Sequence, residues 1–143
     1  MHIYPHPPAA KVKELLAACN LPTSDIEAAH LENFFGCGRE DHPKGVIGVE
    51  LHGKEGLLRS LAVEEGTRGR GCGKRLVTEA EQYAAENGVR SLYLLTTTAE
   101  SFFQALGYAK VERALVPEVI RSTSEFSTLC PVSSAVMVKQ LGG

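Results

Sequence analysis

A short glycine-rich basic loop is the part of this sequence whose residue types and spacing most clearly indicate chemistry. Glycines let a backbone approach a ligand closely, and the first turn of a helix offers N–H groups and the positive end of the helix dipole. Arg75 adds one more cation directly after the loop. The pattern predicts a phosphate-binding loop, against the alternative of a solvent-exposed basic turn. The loop residues are Arg68, Gly69, Arg70, Gly71, Cys72, Gly73 and Lys74.

The loop does not fit the two best-known nucleotide motifs. A nucleoside-triphosphate loop requires glycine five residues before Gly73, where Arg68 stands, and Ser or Thr after Lys74, where Arg75 stands. The dinucleotide fingerprint requires glycine three residues after Gly71, where Lys74 stands. A different phosphate-containing ligand is therefore indicated.

The hydrophobic pattern places the loop between a buried strand and an amphipathic helix. Residues 57–63 are nearly continuously apolar, as in a strand covered on both faces, and the helix at 74–87 has one apolar face. The order of elements predicts an α+β fold with a mixed, mostly antiparallel sheet of about six or seven strands. The predicted helices are 9–19, 25–29, 74–87 and 99–106, and the predicted strands are 31–37, 46–52, 55–64, 91–97, 108–116 and 135–141.

Composition narrows the class of protein. The chain has 143 residues, a formal net charge of −2 and 43% hydrophobic residues, which excludes disordered and fibrous classes and predicts one domain over residues 1–143. A near-neutral charge argues against nucleic acid or an anionic membrane as the main partner. No apolar run approaches the roughly 20 residues of a membrane span. Four scattered cysteines without a secretory segment predict reduced thiols and a cytoplasmic location.

Three segments in sequence order resemble the GCN5-related N-acetyltransferase (GNAT) superfamily. Arg68, Gly71 and Gly73 match its Arg-x-x-Gly-x-Gly pyrophosphate loop, residues 58–63 resemble its central strand, and residues 102–108 resemble its second signature. The resemblance implies a three-layer fold with helices on both faces of the sheet. It also implies that acetyl-CoA, without a metal, lies where strands 57–63 and 91–97 splay apart. The residues it assigns to acetyl-CoA are Leu61, Ala62, Val63, Arg68, Gly69, Arg70, Gly71, Cys72, Gly73, Lys74, Thr98, Ser101 and Phe103.

The same resemblance implies direct attack of an amine on the thioester, with a backbone N–H near Leu61 as the oxyanion donor. The family often has tyrosine where Phe103 stands, so Tyr108, Ser101 or water is left as the general acid. Relatives acting on phosphinic amino acids carry a glutamate where Leu58 stands, so Glu50 or water is left as the base. The predicted catalytic set is Arg59, Ser60, Glu50 and Tyr108.

Arg59 interrupts a strand that is otherwise apolar. A buried guanidinium is costly unless it is paired or faces a cleft. It is predicted either to anchor an anionic acceptor or to form an internal salt bridge with Glu50 or Glu100. Thr98 is predicted to cap the helix that starts at Ala99. The residues predicted to bind the acceptor are Arg59, Thr96, Thr97, Phe102, Arg121, Phe126 and Cys130.

A narrower resemblance links segments 57–63, 92–100 and 120–131 to small acetyltransferases of arsenic-resistance operons. It implies acetylation of a small amine, for example an arsenical or phosphinic amino acid, with a homodimer left open. Two alternatives are a non-catalytic acetyl-CoA sensor and a thiol-based arsenical binder that uses Cys37, Cys72 and Cys130. No metal is expected in the acetyltransferase.

Overall fold

The computed structural model describes residues 2–19, 21, 23, 32–67, 71–123, 126 and 134–141. The chain packs as two compact units. The first unit comprises Met1–Glu50 and Leu58–Tyr83, and the second comprises Leu51–Leu57 and Ala84–Gly143. Each unit is treated by itself below, and the single domain over 1–143 stays a prediction.

The described elements form a seven-stranded mixed sheet with four α-helices. The strand order is β1-β2-β3-β4-β5-β7-β6. The β4–β5 pair is parallel, and the pairs β1–β2, β2–β3, β5–β7 and β6–β7 are antiparallel, which confirms the predicted fold class. The strands are β1 Ile3–Pro5, β2 Phe34–Arg39, β3 His42–His52, β4 Glu55–Val63, β5 Ser91–Thr96, β6 Ala109–Lys110 and β7 Ala135–Gln140; the helices are α1 Ala9–Ala18, α2 Cys72–Glu86, α3 Glu100–Ala105 and α4 Glu118–Arg121, with 3₁₀ turns at Glu65–Thr67 and Arg113–Leu115.

The core of the first unit forms where the apolar stripe of α1 packs against the sheet. Val12 and Leu16 of α1 lie one helical turn apart and are completely buried, because positions four apart share one helix face. They pack with Phe34 of β2 and Val46 of β3, and Ala62 of β4 completes the cluster.

A disulfide joins Cys37 in β2 to Cys72, the first residue of α2. Both cysteines are buried, and the side of Gly45 that would carry a Cβ faces them, at 2.8 Å from the Cys72 Sγ and 3.0 Å from the Cys37 Sγ. Any larger residue than Gly45 would displace a sulfur. The prediction of reduced thiols is therefore wrong for these two cysteines, because the fold brings together residues that are 35 positions apart in the sequence.

The second unit is organised around β5 and β7. These strands pair over their full lengths, from Ser91 opposite Gln140 to Thr96 opposite Ala135. The parallel ladder joins the first three residues of β4 with the first three of β5; the splay beyond them stays a prediction. The core of this unit comprises Leu57, Tyr93, Val116, Ile120, Phe126 and Val136.

Several element boundaries differ from the prediction. The N-terminal segment contributes a strand, β1, which its prolines and polar residues concealed. Strand β3 starts at His42 rather than at residue 46. The strand predicted at 108–116 is reduced to Ala109–Lys110, because the chain turns into a 3₁₀ helix at Arg113. The helix predicted at 25–29 lies outside the described residues.

Candidate functional site

Helix α2 begins directly after the glycine loop. Gly71 has φ +83°, a left-handed conformation that side chains rarely adopt, and its carbonyl accepts the first helical hydrogen bond, from the Arg75 N–H at 3.1 Å. The N–H groups of the first turn, at Cys72, Gly73 and Lys74, cannot find partners within the helix, so they suit an anion. Gly71 is exposed and Gly73 half-buried. The predicted ligand residues 68–70 lie outside the described residues.

Two cations follow on the same helix turn. Lys74 and Arg75 are exposed, and the Thr78 hydroxyl donates a hydrogen bond to the Lys74 carbonyl at 3.0 Å. A groove of about 470 Å³ runs along this part of the helix, and its lining includes both cations. The start of α2 is therefore electropositive through its side chains as well as through its backbone.

Strand β4 contains an unusual backbone conformation before it reaches the loop. Ser60 has φ +59°, which costs a non-glycine residue on the order of 1–3 kcal/mol. The Arg59 Nε donates a hydrogen bond to the Ser60 Oγ at 3.1 Å, within the buried part of the strand. Leu61 and Val63, predicted to contact the pantetheine arm through their backbones, are half-buried, whereas Ala62 is buried. No sequence signal could have located the left-handed residue, because serine is ordinary in a strand.

Arg59 and Glu50 form a buried ion pair. The Arg59 Nη1 donates to the Glu50 Oε2 at 2.7 Å, and the two side chains are 1% and 14% exposed. This is one of the two salt bridges that the sequence left open for Arg59. Glu100, the other predicted partner, lies 3.7 Å from Lys110. The predicted catalytic pair is therefore also a structural pair that joins β3 to β4.

The predicted acid, Tyr108, lies in an aromatic cluster. Its ring is 3% exposed and meets the ring of Phe103 edge-on, with 5.6 Å between centroids. The Lys139 Nζ lies 5.7 Å from the Tyr108 centroid and donates to the Leu106 carbonyl. Phe102 packs against Phe103 and remains 36% exposed. These contacts suit a packing role for Tyr108, and its catalytic role stays a prediction.

The threonines at the end of β5 differ from one another. The Thr96 Oγ accepts a hydrogen bond from the Ala99 N–H at 2.9 Å, whereas Thr97 and Thr98 are exposed. The predicted Thr98 cap is wrong, because the hydroxyl three residues before Ala99 reaches its N–H instead. Ser101, on the first turn of α3, is also exposed.

The sequence reasoning missed two residues of the second unit, Arg113 and Ser134. The Arg113 Nη2 donates to the Ser134 carbonyl at 3.0 Å, and its Cζ lies 5.0 Å from the centroid of the Phe126 ring. Phe126 is buried, as a pocket-lining residue could be, whereas Arg121 is exposed. Only the tertiary pairing of β6 with β7 brings these residues together, so no local pattern announces them.

The thiol-based alternative loses support from the disulfide. Two of its three thiols, Cys37 and Cys72, are bonded to each other, and Cys130 lies outside the described residues. Among the residues that the structure describes, no cluster of three or more His, Cys, Asp or Glu could hold a metal ion. Cys72 can still contribute its backbone N–H to the start of α2. No helix in the described part of the chain is long and apolar enough to cross a membrane.

Comparison with known proteins yields a family and a set of relatives. The sequence model of the acetyltransferase (GNAT) family matches residues 4–109. An uncharacterized N-acetyltransferase from Chlorobaculum tepidum is 33% identical over 92 residues, which cover 64% of this chain and 59% of that relative. This chain thus spans less than two-thirds of the curated relative.

Solved structures share the fold at low sequence identity. N-acetylglutamate synthase from Neisseria gonorrhoeae, complexed with coenzyme A and L-arginine, is 19% identical with a TM-score of 0.82, covering 99% of this chain and 33% of the synthase. A Mycobacterium tuberculosis protein in complex with CoA and NLQ is 18% identical with a TM-score of 0.75, covering 98% of this chain and 99% of that protein. At such identities the likeness shows the fold alone.

Proposed function

Since the chain belongs to the GNAT family of acetyltransferases, we propose that it transfers an acetyl group from acetyl-CoA to the amine of a small molecule. The observation that carries the proposal is the start of α2. There the exposed Gly71, with φ +83°, is followed by a free helix N-terminus and two exposed cations, Lys74 and Arg75. These groups would hold the pyrophosphate of acetyl-CoA, together with Arg68, Gly69 and Arg70 from the sequence pattern.

Strand β4 would hold the rest of the cofactor. The left-handed Ser60 turns the following backbone away from a regular ladder, which would make the N–H and carbonyl groups of Leu61 and Val63 accessible to the pantetheine arm. The Leu61 N–H is the proposed oxyanion donor. The hydrogen bond from Arg59 to the Ser60 Oγ holds this backbone in place.

In the transfer step the neutral amine nitrogen forms a bond to the thioester carbonyl carbon, and the carbon–sulfur bond then breaks. The amine proton leaves to water, because Glu50 is already engaged by Arg59 at 2.7 Å. The thiolate takes a proton from water, since Phe103 cannot donate one. Glu50, Arg59 and Ser60 thus contribute by shaping β4. Tyr108 packs behind α3.

The acceptor class follows from the resemblance and from the relatives. Among the structural neighbours, the Neisseria synthase was solved with N-acetyl-glutamate. We propose a small amine that also carries an anionic group, in which arsenical and phosphinic amino acids are included as candidates. A second function, acetyl-CoA sensing without turnover, is favoured by one observation, the phenylalanine at position 103 in place of the family's tyrosine.

Calorimetry with acetyl-CoA tests the loop, with Gly71→Val as the variant. A β-branched residue at φ +83° is strained, so binding should weaken by about 10-fold or more while the fold persists. Gly66→Val is the matched control, because Gly66 lies just before the loop, has no positive φ and has open space where a Cβ would be. Arg68→Ala should weaken binding as well. Unchanged affinity in Gly71→Val and Arg68→Ala would refute the pyrophosphate assignment.

Release of free thiol from acetyl-CoA, measured over a panel of amines and amino acids, separates the two functions. An acetyltransferase releases thiol in the presence of an acceptor. A sensor binds acetyl-CoA in the calorimeter and releases none with any acceptor.

A further inference from the structure

We propose that the anionic group of the acceptor binds in the second unit, at Arg113 and Ser134 beside the ring of Phe126; this inference rests on the proposed acetyl transfer. The site lies where three strands end. It takes a carboxylate or a comparable oxyanion carried by the amine substrate.

The register of the sheet places the two residues opposite each other. Ala109 pairs with Val138 and Lys110 with Met137, and the Val111 N–H donates to the Val136 carbonyl at 2.9 Å. Two residues further along each chain, the same antiparallel register sets Arg113 across from Ser134. The bond from the Arg113 Nη2 to the Ser134 carbonyl agrees with this register.

The same position is the carboxyl end of β5. Ala135 pairs with Thr96, the last residue of β5, so Ser134 lies just beyond that strand end. In sheets with parallel strands, ligands bind preferentially outside the carboxyl ends of the strands. β5 is parallel to the start of β4, so this preference applies at Ser134.

The Ser134 hydroxyl is the observation that points to a ligand. Ser134 is 6% exposed, and its Oγ is buried without a hydrogen-bond partner in the described part of the chain. Buried hydroxyls are nearly always hydrogen-bonded, because leaving one unsatisfied is destabilising. An oxygen of a bound anion would accept the hydrogen bond that this hydroxyl can donate.

Arg113 supplies the charge next to this hydroxyl. A guanidinium has five N–H donors in a rigid plane and binds carboxylates and oxyanions through two parallel hydrogen bonds. Contact of its Cζ with the Phe126 ring, at 5.0 Å, and the bond to the Ser134 carbonyl fix the orientation of that plane. Arg113 is half-buried, which strengthens its attraction for an anion relative to a solvent-exposed arginine.

Arg59, the anchor suggested by the sequence, is less suitable for the same task. Its side chain is 1% exposed and already contacts the carboxylate of Glu50 at 2.7 Å. An acceptor anion at Arg59 would have to compete with Glu50 within the protein interior. The contacts therefore favour Arg113 as the residue that selects an anionic acceptor.

The experiment compares amines that differ only in the anion. Thiol release at saturating acetyl-CoA is measured with the standard L-amino acids, 2-aminoethylphosphonate and the matching amines without the carboxylate or phosphonate. The anionic member of the best pair should have a KM at least 10-fold lower than its matched amine. Equal KM values, or a preference for the plain amine, overturn the proposal.

Two variants assign the effect to residues. Arg113→Gln should raise the KM of the anionic acceptor by about 10- to 100-fold, as expected for a lost hydrogen bond to a charged group, with acetyl-CoA affinity unchanged. Ser134→Ala should raise it by about 3- to 10-fold without lowering Tm, because no described partner is lost. Neither variant should change the KM of the matched amine. Arg121→Gln, an exposed arginine on α4, is the control.

The outcomes separate this inference from the function on which it rests. Failure to bind acetyl-CoA, or binding without turnover of any acceptor, overturns acetyl transfer itself. Turnover with unchanged acceptor KM in Ser134→Ala and in Arg113→Gln overturns only the anion site. Should Arg113→Gln fail to fold, Arg113→Lys keeps the charge and removes the paired donors, and Ser134→Ala remains decisive.

Discussion

The two units each contain an arginine that is withdrawn from solvent, and the partners of these arginines differ. In the first unit, Arg59 is 1% exposed and contacts a carboxylate, that of Glu50. In the second unit, Arg113 is half-buried and contacts a neutral carbonyl and an aromatic ring. A carboxylate partner makes an arginine part of the scaffold, whereas a neutral partner positions it without cancelling its charge. The residue type alone therefore does not tell whether a buried arginine supports the fold or binds a ligand.

The largest effect is expected from removing the carboxylate in the first unit. Glu50→Leu leaves the Arg59 guanidinium buried without its counter-charge, which should lower the free energy of unfolding by about 3–5 kcal/mol. Urea-induced unfolding measures this loss. The double variant Arg59→Met/Glu50→Leu should recover most of the stability, because an apolar pair of similar volume needs no counter-charge.

The corresponding change in the second unit sharpens the contrast. Arg113→Met loses a hydrogen bond to a carbonyl and a cation–π contact, so it should cost only about 1–2 kcal/mol. If Arg113→Met and Glu50→Leu destabilised the protein equally, Arg113 would be a scaffold residue like Arg59, and the distinction between the units would disappear.

The disulfide gives the next largest effect and acts on the first unit. Reduction of Cys37–Cys72 releases a loop of 35 residues, which should lower the free energy of unfolding by about 3–4 kcal/mol. Urea unfolding with and without dithiothreitol measures this change, and Cys19→Ala, at the free thiol, should leave it unaltered. Amide hydrogen exchange should accelerate in β2 and α2 more than in β5 and β7. An unchanged urea midpoint after reduction would show that the bond does not stabilise the unit.

The smallest effects are expected from one tyrosine in each unit at alkaline pH. Burial, and then the charge of Glu55, raises the pKa of Tyr93 above 10.0. Burial, and then the charges of Glu40 and Asp41, raises the pKa of Tyr4, whose hydroxyl donates to the Arg39 carbonyl at 2.6 Å. The folded state thus favours both neutral hydroxyls, so their stabilising contribution is complete below pH 10.0 and is lost as the pH rises through the folded-state pKa.

Thermal unfolding at pH 9 and pH 11 measures this loss. Tyr93→Phe and Tyr4→Phe should each make Tm less sensitive to the pH step than it is in the parent protein. A step of the same size in the parent and in both variants would mean that other groups cause the alkaline loss.

Much of the fold could be predicted because local patterns are strong in this chain. Helix α1 is predicted at 9–19 and observed at Ala9–Ala18, and β7 is predicted at 135–141 and observed at Ala135–Gln140, since their periodicities are uninterrupted. Strand β1 and the shortened β6 were missed. Their extents depend on which neighbouring strand completes the ladder rather than on their own residues.

The candidate site divides in the same way. The glycines, the following cations and the helix of the phosphate loop are adjacent in the chain, so their order alone indicated acetyl-CoA and the family. The pairing of Arg59 with Glu50 was one of the alternatives that the sequence left open. The roles of Arg113 and Ser134 did not enter the sequence reasoning, because they lie 21 residues apart.

By itself, then, the sequence determined the fold class, the family resemblance and the position of the phosphate loop, because each depends on residues close together in the chain. Tertiary structure decided which cysteines pair, which arginine is neutralised and which buried hydroxyl lacks a partner among the described residues. Each of these depends on atoms from separate strands or helices within a few ångströms of one another, a distance that no local pattern encodes. Close approach of that kind also sets the energy of a charge or a hydroxyl in the protein interior.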